Sequence, residues 1–283
     1  MNISKELIAI RTILNMNQDE LAGKLEVTFE TINRWENLDV DVEERDVKKV
    51  YDFAYSNKIF LNDIFVQLIE EEYKNKNTKV LFHGCKTNLD FPIDLKHSKQ
   101  SNDFGIGFYL GETFKQAANY ISISNSPNVY SFVLCLDNLN ITEFHVNKEW
   151  MLAIAYYRGW IDSYKDNEII KNIVNRVNSC DVIIAPIADN RMFDIISEFV
   201  RGEITDLQCE HALATTNLGF QYVIRTSKAI NQLKLIRQNY LTKKEKEKCY
   251  KERLDMSTRS QNKVKVARIE YRGKGQYIDE LLK

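Results

Sequence analysis

The 283-residue sequence is poor in residues that interrupt regular structure, with only 3 prolines and 10 glycines. This scarcity argues against collagen-like, linker-rich and solenoid architectures. The five cysteines form no CxxC pair, so neither a disulfide framework nor a zinc knuckle is indicated. No apolar run reaches the length of a membrane-spanning helix, and no basic-then-apolar leader follows Met1. We therefore expect a globular, cytoplasmic protein of one large domain or two.

The near-neutral net charge of −1 conceals two charged regions of opposite sign. Residues 1–70 carry 8 Lys and Arg against 14 Asp and Glu, a net charge of −6. Residues 243–283 carry 13 against 7, a net charge of +6. The charged, apolar-poor stretch from Glu70 to Thr78 is the best domain boundary. The predicted parts are a domain of residues 1–72, a domain of residues 78–240 and a basic tail of residues 241–283.

The first segment has the pattern of short helices joined by tight turns. Apolar residues recur at helical spacing from Leu7 to Leu14. Asn17 and Glu20 form the capping-box pattern of a second helix, and Thr28 is placed to cap a third. The segment from Asn17 to Asn37 closely resembles the helix-turn-helix of phage repressors.

The resemblance to repressors implies that four side chains face DNA, namely Gln18, Thr28, Thr31 and Arg34. The acidity of the segment opposes that role, because phosphate neutralisation supplies most of the affinity of a DNA reader. Two interpretations therefore stay open. The module binds DNA as a dimer with help from the basic C-terminal segment, or it binds a protein partner or dimerises.

The second segment alternates short strand-like runs with helical patterns, which predicts a mixed α+β domain. The expected strands are 79–82, 129–135, 181–184, 221–225 and 232–236. The expected helices are 113–121, 150–161, 167–178, 192–200, 205–214 and 227–231.

Three short motifs carry the chemistry of this segment. His83-Gly84-Cys85 ends the first expected strand, and Gln221 opens a late one. Between them, the GxG loop from Asp103 to Leu110 precedes a helix that contains Ala118-Asn119-Tyr120. Each motif alone is weak, because a single histidine after a strand is usually structural and a GxG turn commonly just enters a buried strand.

In this order and spacing, the motifs resemble the His-Tyr-Glu class of ADP-ribosyltransferases, which includes poly(ADP-ribose) polymerases and diphtheria-like toxins. The polymerases have His-Gly-Ser, then Phe-Gly-Lys-Gly-Ile-Tyr-Phe before Ala-Asn-Tyr, then Glu-Tyr-Ile-Val. A bacterial group of uncharacterised, often toxin-associated domains is similar over most of residues 79–237. The resemblance implies an all-α helix-turn-helix domain followed by a mixed α/β domain with a split, antiparallel-type sheet.

The resemblance also implies that NAD is the substrate and that no metal takes part. It places His83, Tyr109 and Gln221 at the catalytic positions, with His83 on the ribose hydroxyls of NAD. The nicotinamide of NAD is a flat cationic ring with a carboxamide, which suits aromatic faces and a backbone donor and acceptor. The residues assigned to NAD are His83, Gly84, Cys85, Phe108, Tyr109, Tyr120 and Asp189.

Gln221 departs from the polymerase pattern, because it stands where those enzymes have a glutamate. An amide orients a ribose hydroxyl by hydrogen bonds, but it takes no proton and carries no charge. Chain elongation is therefore not expected, whereas transfer of one ADP-ribose requires a strongly nucleophilic acceptor or another base. The candidate bases are Glu198, Glu203, Asp189 and Glu210.

We therefore predict a mono-ADP-ribosyltransferase, a bacterial or phage toxin or defence effector that modifies a protein or nucleic acid and is paired with an antitoxin. The alternatives are a helix-turn-helix regulator that binds NAD or a related nucleotide without turnover, and a catalytically inactive binding module. The basic tail has three interpretations. It is a solvated or mobile segment, a nucleic-acid-binding arm, or a surface that docks on the acidic first domain.

Overall fold

A computed structural model describes residues 1–74, 77–125, 127–216 and 218–283, with the backbone alone for residues 256–260. Asn75 and Lys76, at the predicted domain boundary, lie outside the described residues. In the described part, five helices precede a seven-stranded sheet that is flanked by further helices. The α+β class predicted from the sequence is therefore confirmed.

The bounds of the described elements follow the chain. The helices are α1 (Ser4–Leu14), α2 (Gln18–Leu25), α3 (Phe29–Asn37), α4 (Glu44–Ser56), α5 (Leu61–Tyr73), α6 (Phe114–Ile121), α7 (Lys148–Tyr157), α8 (Glu168–Ser179), α9 (Asn190–Val200), α10 (Asp206–Ala214), α11 (Ser227–Asn231), α12 (Lys243–Glu270) and α13 (Ile278–Leu281). The strands are β1 (Thr78–Gly84), β2 (Phe108–Gly111), β3 (Asn128–Cys135), β4 (Ile141–Glu143), β5 (Val182–Pro186), β6 (Phe220–Ile224) and β7 (Leu233–Tyr240). Within the described ranges, no helix has the length and apolar character needed to cross a membrane.

The ends of α2 and the start of α3 are set by local side-chain hydrogen bonds. Asn17 accepts the N–H of Glu20, and the Glu20 carboxylate accepts the N–H of Asn17, which confirms the predicted capping box. Thr28 caps α3 by accepting the N–H of Thr31. Glu26 closes the turn between the helices with a left-handed φ of 55°. The short connection between the two helices is therefore encoded by the residues within it.

A buried ion pair holds the five N-terminal helices against the edge strand β7. The Oε1 atom of Glu6, a residue that is 2% exposed, lies 2.5 Å from Nη2 of Arg237. Tyr51 donates a hydrogen bond to the same oxygen at 3.0 Å, and burial together with the charge of Glu6 raises the pKa of Tyr51. The Arg237 guanidinium also lies 3.9 Å from the centre of the Phe65 ring. The two segments are therefore joined by a desolvated contact in addition to the linker.

The strand order is β4-β5-β6-β2-β1-β3-β7, and the pairs are antiparallel except for β4 with β5. β1 pairs with β3 along its whole length, and β2 pairs with β6 along its whole length. β1 and β2, however, share a single pair, Phe82 with Gly111. The sheet is thus continuous, although the resemblance implied a split one. We call the weakly paired junction the β1–β2 seam.

The strand registers show which residues share a face of the sheet. Directly paired residues point to the same face, and side chains alternate along each strand. Phe82, Gly111 and Gln221 form one row across β1, β2 and β6. The same face therefore carries Gly84 and Tyr109. It is covered by α6 at β1 and by α7 and α9 at β5 and β6, and we call it the α6 face.

Residues 241–283 form two docked helices, which corrects the interpretation of a mobile tail. The first half of α12 packs on α6, where Glu252 lies 2.7 Å from Lys115. The second half packs on α10, and Arg268 there lies 2.7 Å from Glu198 on α9. Both ion pairs join α12 to the second segment rather than to the acidic first segment. The segment also contributes buried side chains, among them Leu241, Ile278 and Leu282.

The contact between the two segments is testable by removing one charge. Glu6→Ala should lower the free energy of unfolding by about 3 kcal/mol, because it leaves the Arg237 guanidinium buried without a counter-charge. The measurement is urea denaturation followed by circular dichroism. Asp52→Ala, which removes the exposed partner of Lys48, is the control and should move the midpoint far less. Equal shifts for the two variants would contradict a desolvated Glu6–Arg237 pair.

Candidate functional site

The candidate site lies at the β1–β2 seam, where a side chain replaces backbone pairing. Nδ1 of His83 lies 2.8 Å from the carbonyl oxygen of Tyr109. A carbonyl oxygen only accepts, so Nδ1 carries the proton. Burial lowers the pKa of His83, which favours the neutral ring. Nε2 of His83 is then a hydrogen-bond acceptor.

The side chains of His83 and Tyr109 lie on opposite faces of the sheet. The His83 ring packs on the Phe108 ring, with centroids 4.5 Å apart and planes tilted by 32°. Tyr109 shares the α6 face with Gln221, two positions away along the paired strands. The structure therefore brings His83 to the backbone of Tyr109 and to Phe108. It does not bring the three predicted catalytic side chains into direct contact.

The Tyr109 side chain is bound to its own loop. Its hydroxyl donates to the carbonyl of Gly105 at 2.8 Å and accepts the N–H of Phe104 at 3.1 Å. Burial raises the pKa of Tyr109, so the phenol stays neutral. Gly105 has a φ of +72°, and a Cβ there would lie 3.0 Å from the Tyr157 ring. The glycine and the tyrosine together define the shape of the GxG loop.

Gln221 is buried with its amide group in a defined orientation. Its Nε2 donates to Oδ2 of Asp103 at 3.2 Å and to the carbonyl of Pro186 at 3.2 Å. Both partners only accept, so the nitrogen has to face them. Oε1 accepts no hydrogen bond from the part of the chain that the structure describes. Gln221 thus keeps one acceptor for a ligand.

Asp103 connects the GxG loop to two other elements. In addition to Gln221, it accepts a hydrogen bond from Nη2 of Arg158, at the end of α7, at 2.8 Å. The Arg158 guanidinium lies 3.4 Å from the centre of the Phe193 ring on α9. The sequence motifs assigned no role to Asp103 or Arg158. Asp103 and Arg158 are 55 positions apart, so the spacing of residues within a motif does not indicate that they pair.

Gly84 packs against α6, and Tyr120 is a residue of that helix. A Cβ at Gly84 would lie 2.4 Å from the carbonyl oxygen of Ala117, so the packing of α6 on β1 requires a glycine. Tyr120, on the same helix, is 55% exposed, and Nζ of Lys86 lies 5.0 Å from the centre of its ring. Cys85, the residue after Gly84, is a partly exposed free thiol. The helix therefore presents an aromatic face to solvent beside the end of β1.

The predicted bases are mostly engaged by arginines. Asp189 caps α9 and lies 2.7 Å from the guanidinium of Arg191. Glu198 and Glu203 each lie 2.7 Å from an arginine as well. Glu210 lies on α10, which packs between α9 and α12. None of these carboxylates is shown in contact with Gln221 within the described ranges.

Two other carboxylates lie beside β6, on which Gln221 is found. Asp103 contacts the amide directly, whereas Glu112 follows β2 and accepts the N–H of Phe220 at 3.3 Å. Glu112 is exposed at the end of β2, next to the start of β6. Of the described His, Cys, Asp and Glu side chains, no group of three or more is arranged to hold a metal ion.

Most of the predicted DNA-contacting side chains already have partners within the first segment. Nε2 of Gln18 donates to Oε2 of Glu36 at 2.7 Å. Thr28 is occupied as the cap of α3, and its hydroxyl lies 3.2 Å from that of Thr31. Arg34 is exposed on α3. Arg34 is therefore the member of the predicted set that is best placed to reach a partner.

Residues 79–235 match a family model described as "Protein of unknown function (DUF3990)". The match covers more than half of the chain, so the protein belongs to the DUF3990 family. No curated protein matches the chain, and no solved structure matches it. The matched segment begins in β1 and ends in β7, and it contains the whole β1–β2 seam.

The Asp103 network makes a stability prediction. Asp103→Ala should cost about 2 kcal/mol of unfolding free energy, because Arg158 loses its counter-charge and Gln221 loses an acceptor in a mostly buried setting. Urea denaturation measures the cost. The matched control is Glu149→Ala, which removes the exposed ion pair with Arg176 and should have a much smaller effect. If Asp103→Ala left the free energy of unfolding unchanged, the hydrogen bonds of Asp103 would not be holding the GxG loop in place.

Proposed function

We propose that the DUF3990 segment is an NAD-dependent mono-ADP-ribosyltransferase. The observation that carries the proposal is the β1–β2 seam, because His83, Gly84 and Tyr109 from two separated motifs converge there. Gln221 from the third motif lies in the same row of the sheet as Phe82 and Gly111, the single residue pair of the seam. The order and spacing of the motifs, which resemble the His-Tyr-Glu transferases, supply the reaction.

The seam suits the nicotinamide end of NAD. Beyond Phe82 and Gly111, the facing edges of β1 and β2 lack backbone partners in register. Unpaired backbone groups need hydrogen bonds, and a carboxamide supplies one donor and one acceptor in a plane. Tyr120 offers an exposed ring on which a flat cationic ring stacks. In this proposal the backbone of Gly84 binds the carboxamide and Tyr120 covers the ring.

Two neutral acceptors then hold the nicotinamide ribose. Because His83 and Gln221 lie on opposite faces of the sheet, the ribose in this proposal enters the open edge between β1 and β2, where Nε2 of His83 accepts one hydroxyl and Oε1 of Gln221 accepts another. Cleavage of the bond between ribose and nicotinamide builds positive charge on the sugar, which an amide oxygen stabilises through its dipole but not with a full charge. Neutral nicotinamide leaves, and the nucleophile of the acceptor bonds to the sugar. The carboxylate of Glu112 is the group available to receive the acceptor's proton.

The side-chain amide of Gln221 also favours a second function. A site with Gln221 at the third position, and with arginines on three of the four predicted bases, is suited to binding NAD or a related nucleotide without turnover. The first segment would then act as a helix-turn-helix module of a transcriptional regulator, with Arg34 as its contact to DNA. Nicotinamide release by the purified full-length protein distinguishes the two functions, because only the transferase produces it.

Substitution of the two acceptors tests the transferase. His83→Ala and Gln221→Ala should each lower the rate of nicotinamide release by about 10- to 100-fold, since each removes one hydrogen bond to the sugar. The release is followed by chromatography of the products. His97→Ala changes an exposed histidine on a 3₁₀ turn and should leave the rate unchanged. Unaltered release in both site variants would refute the assigned roles.

The lowered pKa of His83 predicts the shape of the pH profile. The neutral ring is needed for Nε2 to accept, and burial keeps it neutral to lower pH than an ordinary histidine, whose pKa is about 6.5. NAD affinity should therefore be flat from about pH 8 down to about pH 6.5 and fall at more acidic pH. Calorimetric titration across this range checks it. In His83→Gln, which cannot be protonated, the acidic fall attributed to His83 should be absent.

A further inference from the structure

A row of unpaired lysines runs along the first half of α12. Lys244, Lys248 and Lys251 are exposed and occupy positions i, i+4 and i+7, which lie on one side of a helix. The ion pairs of this half of α12 involve Lys243 and Glu252 instead, and no carboxylate described in the structure pairs with the three lysines. Like charges at this spacing repel, and the exposed Glu247 on the same helix pairs with Lys243 instead of the row.

The tertiary contacts of α12 lie beside the row and explain how it is held. Cys249 packs in the apolar cluster that α6 forms on β1, and Glu252 pairs with Lys115 on α6. Lys246 donates a hydrogen bond to the carbonyl of Ser124, just beyond the end of α6. The helix is therefore fixed by tertiary contacts. The three lysines are exposed at defined positions beside these contacts.

Apolar side chains accompany the lysines. Tyr250 is 44% exposed and Leu254 is 48% exposed; they lie four residues apart, roughly a quarter to a third of a turn around the same helix from the lysines. Proteins that bind single strands combine lysines for the phosphates with exposed aromatic rings on which bases stack. A duplex keeps its bases stacked inside and offers nothing to such a ring. The combination is therefore suited to a single strand.

The row lies on a helix that packs on α6, one of the elements of the candidate site. The helix that α12 packs on, α6, carries Tyr120 two turns from its start, and Lys86 lies over that ring. Residues 1–242 carry 26 Lys and Arg against 33 Asp and Glu, a net charge of −7, which repels polyanions. Attraction of a polyanion is thus concentrated in the C-terminal segment. A strand bound there would reach the α6 side of the seam.

We infer that this row, Lys244, Lys248 and Lys251 with Tyr250, docks a single-stranded nucleic acid and presents it as the acceptor of ADP-ribose. The acceptor role rests on the transferase proposed above, whereas the docking does not. The inference makes the basic helix the substrate-binding surface of the enzyme. The acidic first segment is then not required for binding of nucleic acid.

The first test is binding by the full-length protein. Fluorescence anisotropy would compare single-stranded RNA and DNA of about 20 nucleotides, longer than the site of one single-strand-binding module, with a duplex of the same sequence. The single strands should bind more tightly than the duplex. K244Q/K248Q/K251Q should weaken their binding at least tenfold, and the slope of log affinity against log salt should become less steep by about 2. The RNA and DNA arms show which sugar is preferred.

The matched control is K5Q/K165Q/K234Q, which removes the same charge from three exposed lysines on other elements. It should retain nearly wild-type binding. Equal losses in the two triple variants would overturn the docking surface, because only the net charge would then matter. Tighter binding of the duplex would overturn it as well.

The second test separates docking from catalysis. The protein is incubated with labelled NAD and the single-stranded probe, and the product is digested with nuclease or protease. Label released by nuclease, and lost in K244Q/K248Q/K251Q while nicotinamide release from NAD alone persists, supports the inference. Label released only by protease overturns the acceptor role. Lysine-dependent binding with no nicotinamide release by the wild type refutes the transferase and supports the docking surface.

Discussion

The weak pairing of β1 with β2 is the constraint on which the rest of the site depends. Each strand is fully paired on its outer side, β1 with β3 and β2 with β6, so the two halves of the sheet are internally complete. They are joined by the Phe82–Gly111 pair and by the hydrogen bond from His83 to the carbonyl of Tyr109. A fully paired junction would leave no backbone group for a ligand. The imidazole keeps the halves together without closing that edge.

The Asp103 network accounts for the amide at position 221. A glutamate there would place a second carboxylate within hydrogen-bonding distance of Asp103 and of the Pro186 carbonyl, which also only accepts. Like charges at such a distance repel, and one of the two carboxylates would have to be protonated. Gln221 instead donates to both acceptors, while Arg158 neutralises Asp103. The departure from the polymerase motif and the buried aspartate are therefore consistent with each other.

Local signals in the sequence were sufficient for many of the elements but not for the contacts between them. Asn17 and Thr28 predicted helix starts, and apolar runs predicted five of the strands, because caps and periodicity are properties of neighbouring residues. β2 and β4 have four and three residues, too few to show an alternating pattern. The Arg158–Asp103 and Arg237–Glu6 pairs join distant positions, so only the folded chain shows them. For the same reason, the charge pattern alone did not show that the basic tail is docked.

Because the first segment is docked on the sheet, its surface lies at a fixed place relative to the site. Arg237 on β7 pairs in register with Ser131 on β3, and Ser131 pairs with Phe82 on β1. The row of residues that reaches the β1–β2 seam at Phe82 therefore starts at Arg237, which forms the ion pair with Glu6. The N-terminal helices are thus held at a fixed position relative to the site. The surroundings of α3 are acidic and repel phosphates, whereas the exposed row on α12 attracts them. The two surfaces therefore differ in charge, and under the proposal above only the row on α12 suits a nucleic acid.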